Sequence, residues 1–180
     1  WHPAKSHAVG EPGIRGTRGP VRAVAGLKMD AHMGKILLDC EVDEILADIV
    51  LAGGDFAEPE KVYRRVLIEK EKFYGSDHPE VARTLASLAL TLFYMNRKAE
   101  SDEALGRAEG ILASVQVVDD AVAGAKAVLA KLYRLKGDLI RAEAEYEDVI
   151  EFMERAGDPA SEAMMDPLLH LGAVYFRTGK

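Results

Sequence analysis

The sequence predicts an all-α fold, a solenoid of antiparallel helix pairs with about three and a half repeats. Three columns of residues carry that reading. Ala47, Ala89, Ala130 and Gly172 recur at steps of 42, 41 and 42 residues; Tyr63, Leu105 and Tyr146 recur at 42 and 41; Pro59, Ser101 and Ala142 keep phase with them. A period of this length marks units that cannot bury their apolar face alone and stack on their neighbours to do so. Stacked units present an extended surface rather than a closed catalytic cavity, which points to binding another protein.

From Ile36 onward apolar residues return every three or four positions, as in Leu85, Leu88, Ala89 and Leu92, the spacing of one helix face. Punctuation divides this signal into seven helices. The first, 36–52, stops at Gly53-Gly54-Asp55. The second, 56–74, stops at Gly75, which suits a left-handed residue closing a helix. The third, 79–94, opens on Pro79, a residue tolerated in the first turn, where its missing N–H has no partner to lose; Asp77 or His78 caps it. Met95-Asn96-Arg97 separates it from the fourth, 98–115, and the fifth, 120–136, ends at Lys136-Gly137-Asp138. The sixth, 139–156, gives way at Gly157-Asp158-Pro159, and the seventh, 162–177, at Thr178-Gly179. The small residues at 47, 89, 130 and 172 mark close approach of two helices in a pair, with Tyr63, Leu105 and Tyr146 filling the neighbouring space.

With 180 residues, 48% hydrophobic and 29% charged, the chain has the apolar material for one ordinary domain. Its formal charge of −7 is uneven. Residues 1–35 hold six Lys/Arg against two acids, whereas residues 36–180 hold 17 against 28, a net −11. An acidic body argues against nucleic acid, since phosphate binding needs clustered cations, and against an anionic membrane surface. No apolar run approaches the roughly 20 residues needed to cross a bilayer, so no membrane insertion is expected. Cys40 is the only cysteine, which excludes an intrachain disulfide and a cysteine-type zinc site and fits a reducing compartment. It is expected to be a small buried hydrophobe. Residues 1–35 are rich in Gly and Pro and lack any period, so they read as a disordered basic tail ahead of a repeat domain over 36–180. The expected location is cytoplasmic; the alternative is a mitochondrion or plastid, if the Arg-bearing tail is the remnant of a transit peptide.

Gly54-Asp55-Phe56-Ala57-Glu58 leads to Tyr63-Arg64-Arg65-Val66-Leu67-Ile68-Glu69 and then to Gly75-Ser76-Asp77-His78-Pro79-Glu80-Val81-Ala82. This pattern resembles the long-loop tetratricopeptide repeat of kinesin light chains and many other proteins. The resemblance covers Cys40 to Lys180, is strongest over 54–108, and recurs from Lys136-Gly137-Asp138 to Tyr146. It is specific for the repeat type, not for one protein: the first repeat has Pro59 where the family prefers Ala, and the asparagines lining the kinesin light chain groove are absent. The resemblance implies a right-handed solenoid that acts as a non-enzymatic scaffold or adaptor for a protein or peptide partner. Rival readings are the regulatory sensor arm of a larger multidomain signalling NTPase and an organellar assembly factor. Because Gly179-Lys180 falls at the turn of a fourth repeat, the native chain is expected to continue beyond Lys180, truncating the domain here.

In such repeats the first helix of each pair lines a concave groove. The resemblance maps that lining to Glu41, Glu44 and Asp48, to Arg83, Leu90, Phe93 and Tyr94, to Lys131 and Arg134, and to Leu169, Phe176 and Arg177. Arg83, Leu90, Phe93, Tyr94, Lys131, Arg134, Phe176 and Arg177 are the expected partner-binding residues. Their cations and rings suit an extended segment bearing carboxylates; the competing reading packs Phe93, Tyr94 and Phe176 against adjacent helices and leaves the charges solvated. His78 has no Ser, Cys or carboxylate pair tied to it by spacing and reads as a cap. Asp39 to Glu44 looks like a calcium loop but has Glu44 where the sharp turn requires Gly, so it reads as a helix face. Glu143, Glu145, Glu147 and Asp148 read as a solvated helix surface. No phosphate loop, dinucleotide fingerprint or nucleophile motif is present, so no catalytic residue, metal or cofactor is expected.

Overall fold

The computed structural model describes residues 31–156 and 164–180. Seven α-helices and no strand occur among the described residues: α1 (Ala31–Ala52), α2 (Ala57–Tyr74), α3 (Pro79–Tyr94), α4 (Lys98–Ala113), α5 (Asp120–Lys136), α6 (Leu139–Ala156) and α7 (Met165–Thr178). The tail expected over 1–35 lies outside the described residues apart from its last five, where α1 has already begun. Gly34 costs a helix interior about 1 kcal/mol relative to Ala, yet burial of Leu37 and Cys40 just beyond it anchors the segment. The break at Gly157-Asp158-Pro159 also lies outside the described residues.

Local chemistry explains where the helices stop. His78 caps α3 by accepting the Glu80 N–H on Nδ1 at 3.2 Å, and Pro79 follows in the first turn. Asp119 does the same for α5, accepting from the Val122 N–H at 2.9 Å. Gly137 closes α5 in the left-handed conformation, φ 86°, ψ 3°, which a side chain adopts only at a cost. Gly75 departs from the expected geometry: φ is 89° but ψ is 160°, a region open essentially to glycine alone, so α2 does not end in a left-handed turn.

Successive helices pack together, α1 on α2, α2 on α3, α3 on α4, α5 on α6 and α6 on α7, except that α4 touches α5 only lightly. A second set of contacts skips one helix: α3 packs extensively on α5, while α1 on α3 and α5 on α7 touch only lightly. The core runs through this stack, with Leu85, Leu88, Leu92, Leu129 and Leu132 at its centre.

All the residues of the three columns but Gly172 are buried: Ala47, Ala89 and Ala130, then Tyr63, Leu105 and Tyr146, then Pro59, Ser101 and Ala142. The Ser101 hydroxyl donates to the Ala89 carbonyl at 2.8 Å, joining the first and third columns across the α3–α4 contact. Gly172 differs: it is exposed, and a Cβ added there would meet no atom within 4 Å, because no described helix lies over that side of α7. Ala89→Leu is therefore expected to overpack α3 against α4 and to cost about 1–3 kcal/mol in urea unfolding, whereas Gly172→Ala is expected to be no worse than neutral.

Candidate functional site

Asp48 and Leu51 of α1, Phe56 after it, Ser87, Leu90 and Tyr94 of α3, Val128 and Lys131 of α5 and Asp166 of α7 enclose a cleft of about 510 Å³. A smaller hollow of about 200 Å³, bordered by Glu44, Ile45, Arg83 and Gly124, adjoins it and shares Asp48, Ser87 and Val128. The cleft thus runs across α1, α3 and α5 and reaches the start of α7. Its lining follows the repeat: Asp48, Leu90 and Lys131 stand 42 and 41 residues apart, and so do Ile45, Ser87 and Val128. One wall is aromatic, since Phe56 stacks on Tyr94 with ring centroids 5.2 Å apart.

Asp48 is oriented from behind. The Tyr63 hydroxyl donates to its Oδ1 at 2.5 Å, so a core tyrosine holds a cleft carboxylate. Burial raises the Asp48 pKa above the ordinary carboxylate value, against the pull of that hydrogen bond. Burial likewise pushes the Tyr63 phenol up, and the Asp48 charge adds to it.

Beside the cleft lies a buried ionic network that the sequence analysis did not anticipate. Lys70 of α2, only 1% exposed, donates from Nζ to Glu44 at 2.7 Å and to Glu80 at 2.9 Å. Arg83 donates to the same Glu44 oxygen at 3.0 Å, and the Thr84 hydroxyl donates to its other oxygen. One carboxylate on α1 thereby collects donors from α2 and α3. Burial opposes the charge on Glu80, yet Lys70 and Arg83 outweigh it and hold its pKa below the usual range. Burial also opposes the Arg83 charge, and Glu44 and Glu80 outweigh it. Gly124 leaves room for Arg83 to lie across α5, since a Cβ there would sit 3.2 Å from Arg83 Cδ.

Of the expected partner-binding residues, Leu90, Tyr94 and Lys131 line the main cleft and Arg83 the smaller hollow. Arg83 enters it already engaged by two carboxylates, whereas Lys131 makes no ion pair or hydrogen bond among the described residues. Phe93, Arg134, Phe176 and Arg177 line neither. Phe93 packs on the core, the competing reading made above, and Phe176 stands 89% exposed on α7 away from the cleft. Glu44, assigned to the groove, is spent on the network; Glu41 and Leu169 are exposed outside both hollows. Sequence reasoning missed Leu51, Phe56, Ser87, Val128 and Asp166 in the cleft and Ile45 in the smaller hollow, of which Ile45, Ser87 and Val128 each stand three residues before a lining residue that was expected, Asp48, Leu90 and Lys131. The acids 143–148 are also not merely solvated: Glu145 and Asp148 each accept from Lys126 at 2.7 Å, and Glu147 accepts from the Tyr175 hydroxyl at 2.8 Å. Cys40 is buried as expected, and burial raises its thiol pKa.

Two polar atoms near the α5–α7 end are buried without a hydrogen-bond partner among the described residues, Arg134 Nε and the Tyr146 hydroxyl. Burial pushes the Tyr146 phenol up to about 12. The His170 ring lies 5.9 Å from that of Tyr146, with Nε2 3.4 Å from Asp166. Burial lowers the His170 pKa, Arg134 and Lys131 reinforce this, and Asp166 opposes it. A histidine lowered on folding takes up its proton more readily when unfolded, so stability is expected to fall as pH drops below about 6.5, the unfolded value. His170→Gln should flatten that slope between pH 7.5 and 5.5 in urea midpoints; an unchanged slope would refute the assignment.

Among the described residues no group of three or more His, Cys, Asp or Glu is placed to hold a metal ion, and no helix is long and apolar enough to cross a membrane. No known protein-family model matches the chain, and comparison with curated proteins gives no match.

Proposed function

We propose that this chain is a non-enzymatic scaffold that holds an extended segment of a partner protein in the cleft across α1, α3 and α5. On this reading its helix pairs are tetratricopeptide-like repeats of the long-loop type, wound as a right-handed solenoid. The supporting observation is that the cleft is lined by repeat-equivalent residues, Asp48, Leu90 and Lys131 in one row and Ile45, Ser87 and Val128 in another. Rows spaced by the repeat suit a segment that itself repeats its contacts along its length. A wall fixed by core packing loses little freedom when a segment is laid on it. The lining is mixed in charge, Lys131 against Asp48 and Asp166, with apolar ground between. This favours a segment of alternating apolar and charged side chains of both signs over the carboxylate-bearing segment that the sequence alone suggested.

A displayed library of random 12-residue peptides tests the reading. Peptides selected on the intact chain are expected to lose about tenfold or more in affinity, some 1.4 kcal/mol, against Tyr94→Ala and against Lys131→Glu. Peptides that bind both variants as well as the wild type would place the partner surface elsewhere.

A further inference from the structure

Leu37, Cys40, Glu44 and Ala47 form the buried side of α1, yet the opposite side is apolar too. Leu38, Val42, Ile45 and Ile49 are 59%, 48%, 59% and 63% exposed, and they follow one another at steps of four, three and four residues. That is the seam spacing of a coiled coil, with β-branched residues at Val42 and Ile49 in one of the two alternating positions and Leu38 and Ile45 in the other. A helix apolar on both sides is built to be covered on both, and four large side chains in one stripe exceed the scattered exposure normal on a surface.

The charges beside the stripe decide what covers it. Asp39 flanks it on one edge and Glu41 on the other; both are exposed, and neither makes an ion pair among the described residues. By heptad register, a parallel pair of α1 helices would set the exposed Lys35 of one copy against Lys35 of the other in the seam, and an antiparallel pair would set Glu41 against Asp48 at the flanking positions, repulsions that disfavour self-pairing. The net −11 of residues 36–180 works in the same direction. We propose that the outer face of α1 docks an amphipathic helix of a partner protein whose apolar residues repeat at three- and four-residue steps and whose flanks carry Lys or Arg. This surface is separate from the cleft, except at Ile45, which borders the smaller hollow.

The test uses two synthetic two-heptad helical peptides with the same leucines in the seam, one flanked by lysines and one by glutamates, titrated against the full chain. The lysine-flanked peptide is expected to bind at least about tenfold more tightly than the other at low salt, with the margin shrinking as salt screens the flanks. Leu38→Glu with Val42→Glu, both exposed and outside the lining of the two hollows, should abolish binding while leaving the thermal midpoint close to wild type. Asp39→Lys with Glu41→Lys should reverse the preference, and Tyr94→Ala should leave it intact, which separates this face from the cleft. Equal binding of the two peptides, or none, would overturn the proposal. So would concentration-dependent dimers in sedimentation that Leu38→Glu with Val42→Glu dissolves, since the face would then belong to a second copy.

Discussion

Lys70→Met is expected to destabilise the protein by about 3–5 kcal/mol, the cost of breaking a buried ion pair from one side. Lys70 is 1% exposed, and its ammonium group bridges Glu44 of α1 and Glu80 of α3. Without it Glu44 keeps only Arg83 and Thr84 as donors and stays 6% exposed, with water unable to replace the lost partner. The loss comes from the stranded carboxylate more than from the missing attraction, so the double variant Lys70→Met with Glu44→Gln should recover a substantial part of it. Urea unfolding of the single and double variants decides the matter. A single variant as stable as wild type, or a double variant whose losses simply add, would show that the network contributes little.

Tyr63→Ala is expected to cost a further-reaching 3–5 kcal/mol, about the usual range for removing a fully buried aromatic ring. Tyr63 is completely buried beneath the α1–α2 contact, and its hydroxyl holds Asp48. Tyr63→Phe separates the two roles: it keeps the ring and frees the carboxylate, and should cost about 1–3 kcal/mol for the hydrogen bond to a charged group. If the cleft is the partner surface, Tyr63→Phe should also change the affinity of selected peptides more than its stability effect predicts, because Asp48 lines the cleft and loses its anchor. Equal stability of the phenylalanine variant and wild type would mean that the short Tyr63–Asp48 contact is not sustained in solution.

The helices were legible because this sequence punctuates them with residues whose backbone chemistry leaves little choice. Pro79 after His78 starts α3 and Gly137 stops α5 where expected. The start of α1 was not legible, because Gly34 opposes a helix locally and only packing further along sustains it. Part of the cleft was legible for a different reason: Asp48, Leu90 and Lys131 share a column, so a repeat that places one places all three. Phe176 and Arg177 shared the analogy but not the position, since α7 touches α5 only lightly and contributes Asp166 from its first turn instead. Lys70 was hidden within the polar run Glu69-Lys70-Glu71-Lys72. Its one signal was register: Tyr63, Val66, Leu67 and Lys70 lie on a single apolar stripe, where a charge must find a buried partner.

The light contact between α1 and α3, against the broad one between α3 and α5, sets an order of opening. The α1–α2 hairpin meets the remainder chiefly through α2 and the donors gathered on Glu44, so it is expected to open as a unit ahead of the α3–α5 centre. Its amides are expected to exchange with solvent ahead of those in α3 and α5, and whatever settles on α1 from outside should slow that exchange first.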